Sequence, residues 1–157
     1  MSNTKASDHV DVRGPRFVAW VTTVVLIVTL LVASISPSAA AVILGLQALA
    51  FAVGAALGPR RHPYGRIYAA VVAPRLGPVT EREPAPPLKF AQSVGFVFAL
   101  VGTAGFAAGL PALGMIATAF ALFAAFLNAA FGICLGCQLY PLFRRYTARL
   151  RRVSIQA

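Results

Sequence analysis

Two stretches of this chain carry no Asp, Glu, Lys or Arg: the 43 residues from Phe17 to Pro59 and the 54 from Phe90 to Phe143. About a quarter of an ordinary globular domain is charged, against 11% here, with 59% hydrophobic residues. A cytosolic domain, a disordered tail and a collagen-like fibre are thereby excluded. A bilayer core about 30 Å thick takes roughly 20 apolar residues as a helix. Each run is therefore too long for one crossing and long enough for two. A transmembrane barrel would alternate polar and apolar residues, whereas these runs are apolar on every side.

The breaks within the runs are legible. Ser34-Ile35-Ser36-Pro37-Ser38 gathers turn formers in the first, and Gly109-Leu110-Pro111 does so in the second. Proline interrupts a helix interior and glycine ends one readily. The fold class expected is all-α, an integral membrane bundle of four transmembrane helices in two hairpins. The helices are placed at about 17–33, 39–57, 90–109 and 112–131. Residues 1–16 precede this single membrane domain of 17–143, residues 58–89 form a loop, 132–143 form a segment holding both cysteines, and 144–157 form a basic tail.

The net charge of +10 would suit a nucleic-acid binder, but the placement of the charge argues for a membrane protein. Lys5, Arg13 and Arg16 precede the first helix. Arg60, Arg61, Arg66, Arg75, Arg82 and Lys89 fall in the central loop, and Arg144, Arg145, Arg149, Arg151 and Arg152 in the tail. Both hairpin turns carry none. The positive-inside rule then places both termini and the loop in the cytoplasm. Phe17, Trp20, Tyr64, Tyr68, Phe90, Tyr140 and Tyr146 fall at the same ends, where amphipathic rings favour the interface. Cleavage of the first helix as a signal peptide is disfavoured, because its apolar run exceeds the usual ~7–15 residues.

The loop is proline-rich and expected to be extended, with Tyr64 to Ala73 lying on the membrane surface. Arg60-Arg61-His62-Pro63 reads as a stop-transfer charge cluster, and His62 has no metal-ligand companion at suitable spacing. Gly54/Gly58, Gly105/Gly109 and Gly132/Gly136 have the four-residue spacing of close helix packing. Each half begins with a basic residue followed by Phe and ends with a proline shortly before two arginines, a faint internal repeat. The extra residues of the second half would fall around Asn128 to Gln138.

The only two cysteines form Cys134-Leu135-Gly136-Cys137. At i, i+3 on a helix both sulfurs share one face, and the spacing is that of dithiol redox pairs. Buried packing cysteines are the competing reading. If the fourth helix runs unbroken from Pro111, Cys134 lies ~35 Å along it and Cys137 ~39 Å, at the cytoplasmic interface. Thiols there are normally kept reduced, so a permanent structural disulfide is not expected. Gly136 leaves room for a partner to approach. Pro141 would deprive the Cys137 carbonyl of its helical donor. Asn128, the lone strongly polar group of the fourth helix, is expected to bond Gln92, Ser93 or Gln47. Closure of a disulfide would need local unwinding, for which Gly136 and Pro141 are the expected sites.

Several segments together resemble a known family. They are Asp11-Val12-Arg13-Gly14-Pro15-Arg16-Phe17, Pro63-Tyr64-Gly65 with Pro74-Arg75-Leu76-Gly77-Pro78, Phe90-Ala91-Gln92-Ser93-Val94-Gly95, and Leu127-Asn128-Ala129-Ala130-Phe131-Gly132-Ile133-Cys134-Leu135-Gly136-Cys137. Over residues 10–146 the chain is similar to small actinobacterial membrane proteins grouped as domain of unknown function four-three-nine-five. The resemblance implies a bacterial plasma membrane location and carries no assigned activity. Genes of this family are often found near those of rhodanese-like and thioredoxin-like proteins, so the resemblance implies a link with sulfur or thiol metabolism and such proteins as candidate partners. Gln138 stands where the family pattern leads one to expect Glu, which weakens any role for a carboxylate there.

Three functions compete. The first is a membrane thiol protein in which Cys134 and Cys137 exchange electrons or sulfane sulfur with a cytosolic rhodanese-like or thioredoxin-like partner. Four-helix quinone-linked thiol oxidoreductases also carry CxxC late in the chain, but they face the oxidising side and use further cysteines. The second is a small transporter or channel subunit, against which stands the lack of ionisable residues in the spans. The third is a non-enzymatic scaffold with structural cysteines. No cofactor motif, metal-ligand set or nucleic-acid signature is present, and oligomeric state is left open.

Overall fold

The computed structural model describes residues 9–156, with side chains to residue 147. Lys5 and the side chains of Arg149, Arg151 and Arg152 lie outside the described residues. Strand β1 (His9–Asp11) leads into helices α1 (Arg13–Ala33), α2 (Pro37–Leu57) and the short α3 (Pro63–Ile67). A π turn at Tyr68–Val72 and a 3-10 turn at Ala73–Arg75 follow. Then come strand β2 (Arg82–Pro84) and helices α4 (Ala85–Ala107), α5 (Pro111–Phe131) and α6 (Leu135–Gln156).

Helices α1, α2, α4 and α5 are long and apolar enough to cross a membrane. At ~1.5 Å per residue, the 21 residues of α1, α2 and α5 span about 32 Å, matching a bilayer core. The four form a closed ring in which α1 packs on α2, α2 on α4, α4 on α5 and α5 on α1. Leu26, Leu44, Phe51, Ala99 and Phe106 fill the centre. Outward-facing Val24, Leu31, Val42, Leu46, Leu49, Val97 and Ile116 remain exposed, as a lipid-facing surface requires. Among the described residues every Lys and Arg belongs to one end of this bundle, the end opposite the two hairpin turns.

Proline places the helix starts. Pro37 and Pro111 take first-turn positions, where a missing N–H leaves no bond unmade, and Ser36 caps α2 by accepting from the Ala39 N–H at 3.3 Å. The same rule corrects the reading of the loop. Pro84 precedes α4, and Ala85-Pro86-Pro87 forms its first turn instead of an extended linker. Helix α4 thus begins five residues earlier than the apolar pattern alone indicates.

The remainder of the loop is folded. Residues 9–11 pair antiparallel with 82–84, Val10 opposite Glu83, a small ribbon that hydropathy does not reveal. Tyr68 is buried against the start of α1, its ring 5.7 Å from that of Phe17. Its hydroxyl donates to Asp11, which also accepts from the side chain and backbone N–H of Arg13. Burial pushes the Asp11 carboxyl up, but these hydrogen bonds outweigh it and hold the group below its ordinary range. The Arg60 guanidinium donates to the His9 carbonyl. The loop is therefore strapped across the N-terminal end of α1.

The glycine pairs do not act as three helix faces. Gly58, Gly109 and Gly132 all have positive φ and end α2, α4 and α5. Their partners do the close packing: a methyl at Gly105 would stand 2.8 Å from the Gly114 nitrogen of α5.

Candidate functional site

The fourth membrane helix does not run through the cysteines. Gly132 adopts φ +69°, a left-handed conformation that glycine tolerates without a Cβ penalty. Its N–H and that of Ile133 bond back to the carbonyls of Asn128 and Leu127, and the chain leaves the helix. Arg16 reaches across from α1 and donates to the freed Ala129 carbonyl at 3.3 Å.

A new helix then starts at the cysteines. The Gln138 N–H bonds the Cys134 carbonyl at 3.1 Å, and the Cys137 N–H bonds the Cys134 Sγ at 3.3 Å. A carbonyl that takes the first helical bond and a side chain that accepts from the third helical N–H define an N-cap. Cys134 thus caps α6, and Cys137 sits in its first turn. The two are joined as a disulfide, with Cα atoms 5.2 Å apart. This corrects the expectation of a helix running unbroken from Pro111 through the pair. The unwinding that closure requires is supplied by Gly132, upstream of the pair, and not by Gly136 or Pro141.

Gly136 also has a different role from the one its place between the cysteines implies. A methyl there would stand 2.6 Å from both the Cα and the Cβ of Ala91. Gly136 therefore presses α6 onto α4 and leaves no approach for a partner on that face. Phe90 completes the contact, with ring centroids 6.0 Å from Tyr140 and 5.1 Å from Phe143. Pro141 lies inside α6, where its missing N–H leaves the Cys137 carbonyl without a helical donor.

Asn128 makes none of the expected side-chain bonds. Gln47 accepts from the Tyr64 hydroxyl at 2.8 Å, and the Ser93 hydroxyl returns to the Lys89 carbonyl. Asn128 instead lines a cavity of about 400 Å³ between α1, α4 and α5, roofed by Cys134, Leu135 and Gly136. The cavity is largely apolar. Among the described residues no group of three or more His, Cys, Asp or Glu is arranged to hold a metal.

A second polar cluster was not legible in the sequence. His62 is fully buried between α2 and α4, at the α3 N-terminus. Its Nδ1 accepts from the Tyr64 N–H, so the neutral ring carries its proton on Nε2, which has no protein partner. Gly54 makes the space, since a methyl there would lie 2.6 Å from the His62 Cδ2 and 3.1 Å from the Gln92 Cδ. Burial lowers the His62 pKa to about 4 and raises that of Tyr64. The only sequence signal was His62 beside Pro63, and only the folded loop turns it inward.

The fold and this site define a small polytopic membrane protein whose four-helix bundle carries a CxxC pair at the start of a peripheral sixth helix. The model of the family Domain of unknown function (DUF4395) matches residues 10–145, and the chain belongs to that family. No curated protein matches it. No solved structure matches it either.

Proposed function

We propose that the protein is a membrane thiol–disulfide component in which Cys134 and Cys137 cycle between dithiol and disulfide. The observation that carries this reading is the Cys137 N–H directed at the Cys134 sulfur at the first turn of α6. The positive end of a helix favours a thiolate there. A packing cysteine needs no such placement. On this reading the membrane is a bacterial plasma membrane, the one-sided charge supports a cytoplasmic position for the pair, and a thioredoxin-like or rhodanese-like protein meets it there. Exchange runs through a mixed disulfide in either direction: one thiolate of the pair attacks a partner disulfide and the second resolves it, and in reverse a partner dithiol reduces the Cys134–Cys137 bond, leaving the pair as dithiol and the partner as disulfide. Trapping tests this. Cys137→Ser and Cys134→Ser chains expressed in their own membrane should accumulate a covalent, reductant-sensitive adduct with one cytosolic protein, absent from the double variant. The absence of any adduct in both single variants overturns the reading.

A further inference from the structure

We infer that the cavity beneath Cys134 binds a lipid-dissolved quinone, the two-electron acceptor that turns the Cys134–Cys137 dithiol into its disulfide; this rests on the thiol–disulfide reading above. The cavity opens to lipid: Phe120 and Phe123 line it while remaining 60% and 58% exposed. Its volume of about 400 Å³ lies in the range of small-molecule sites, roughly 300–1,000 Å³. Phe51 and Phe98 complete a set of four aromatic rings suited to a flat one, and Phe98 and Phe120 are themselves stacked at 6.0 Å.

Two unpaired polar groups then narrow the ligand. Helical threonines usually return their hydroxyl to the i−4 carbonyl, and Thr23, Thr29, Thr103, Thr118 and Thr147 all do so. Thr22 does not. It is 2% exposed, lines the cavity, and its hydroxyl has no partner. The Gln92 Oε1, also buried in the wall, has none either. A buried polar group without a partner costs about 1–3 kcal/mol. A buried hydroxyl donor in the wall of a ring-lined, lipid-open space, with an unpaired amide oxygen on another residue of that wall, suits a ligand with ring oxygens that accept when oxidised and donate when reduced. A plain acyl chain would leave both groups unsatisfied.

The chemistry balances. The Cys134 thiolate adds to a ring carbon of the quinone. The Cys137 thiolate attacks the Cys134 sulfur; the S–S bond forms as the C–S bond breaks, and the electron pair leaves on the ring. The two thiol protons end on the hydroquinone oxygens. Two electrons and two protons pass from dithiol to quinone, and the roofing position of Cys134 makes it the residue that meets the ring.

The full chain, reconstituted in vesicles and pre-reduced without oxygen, is given decylubiquinone or a short-chain naphthoquinone. Thiol loss is read by maleimide mass shift, and binding by quenching of Trp20, the single tryptophan, two positions before Thr22. The expected result is one hydroquinone formed for each pair of thiols lost, with saturable quenching that persists when both cysteines are Ser. Thr22→Val and Gln92→Leu should each raise the half-saturating quinone concentration about tenfold. Thr103→Val, away from the cavity, should not. Quenching that never saturates, or saturates identically in all variants, overturns the site. Thiol oxidation by glutathione disulfide but not by quinone overturns the acceptor and leaves the thiol reading standing. Inertness towards both oxidants overturns both.

Discussion

Gly136 rests on Ala91 with no space for a side chain between them. The glycine that separates the two cysteines is therefore also the contact that docks α6 onto the membrane bundle. Gly136→Val should detach the start of α6. Overpacking of this kind costs about 1–3 kcal/mol. The melting temperature in mild detergent is expected to fall and maleimide labelling of the reduced cysteines to accelerate. Unchanged melting and labelling would place α6 elsewhere.

The buried His62 predicts an acid sensitivity. Its pKa of about 4 in the folded protein lies below the ordinary 6.5, so the unfolded state binds the proton more readily. The stabilisation is full above about pH 6.5 and is lost progressively as pH falls towards 4, a difference of about 3 kcal/mol across that window. Denaturation followed from pH 7.5 to 4.5 should show this loss in the wild type. His62→Gln should flatten it.

The Asp11 carboxylate supplies a second titration of the same sign at lower pH. Hydrogen bonds from Arg13 and Tyr68 hold its pKa below the ordinary value, so its contribution is present above that value and lost as pH falls through the folded one. Asp11→Asn should weaken the strap between β1 and the loop by about 1 kcal/mol per hydrogen bond lost. Faster protease cutting at residues 77–81 is the readout, and equal cutting of both chains would count against the strap.

Orientation can be read directly. Reporters fused after Val79 and at the C-terminus should report cytoplasm, and one near Pro37 the outside. After reduction, an impermeant maleimide should label Cys134 or Cys137 in inside-out vesicles and neither in right-side-out ones. An external C-terminal reporter would invert the arrangement. Labelling in neither preparation until detergent is added would mark the pair as packing groups.

The membrane bundle was legible in the chain because hydropathy and charge act locally. A run without charge has only the bilayer to occupy, and Pro37 and Pro111 start helices wherever they stand. The CxxC spacing was legible for the same reason. What only the tertiary structure decided is where each exception points. Gly132 looked like half of a packing pair, yet its left-handed conformation ends α5 and makes Cys134 a cap. Gly136 looked like open space, yet Ala91 fills it. His62 looked like part of a charge cluster, yet the folded loop buries it beside Gly54. Thr22 is one threonine among several in sequence, and only the packing of α1 against its neighbours leaves its hydroxyl without a partner. Such roles depend on contacts between residues far apart in the chain, and a local pattern carries no record of them.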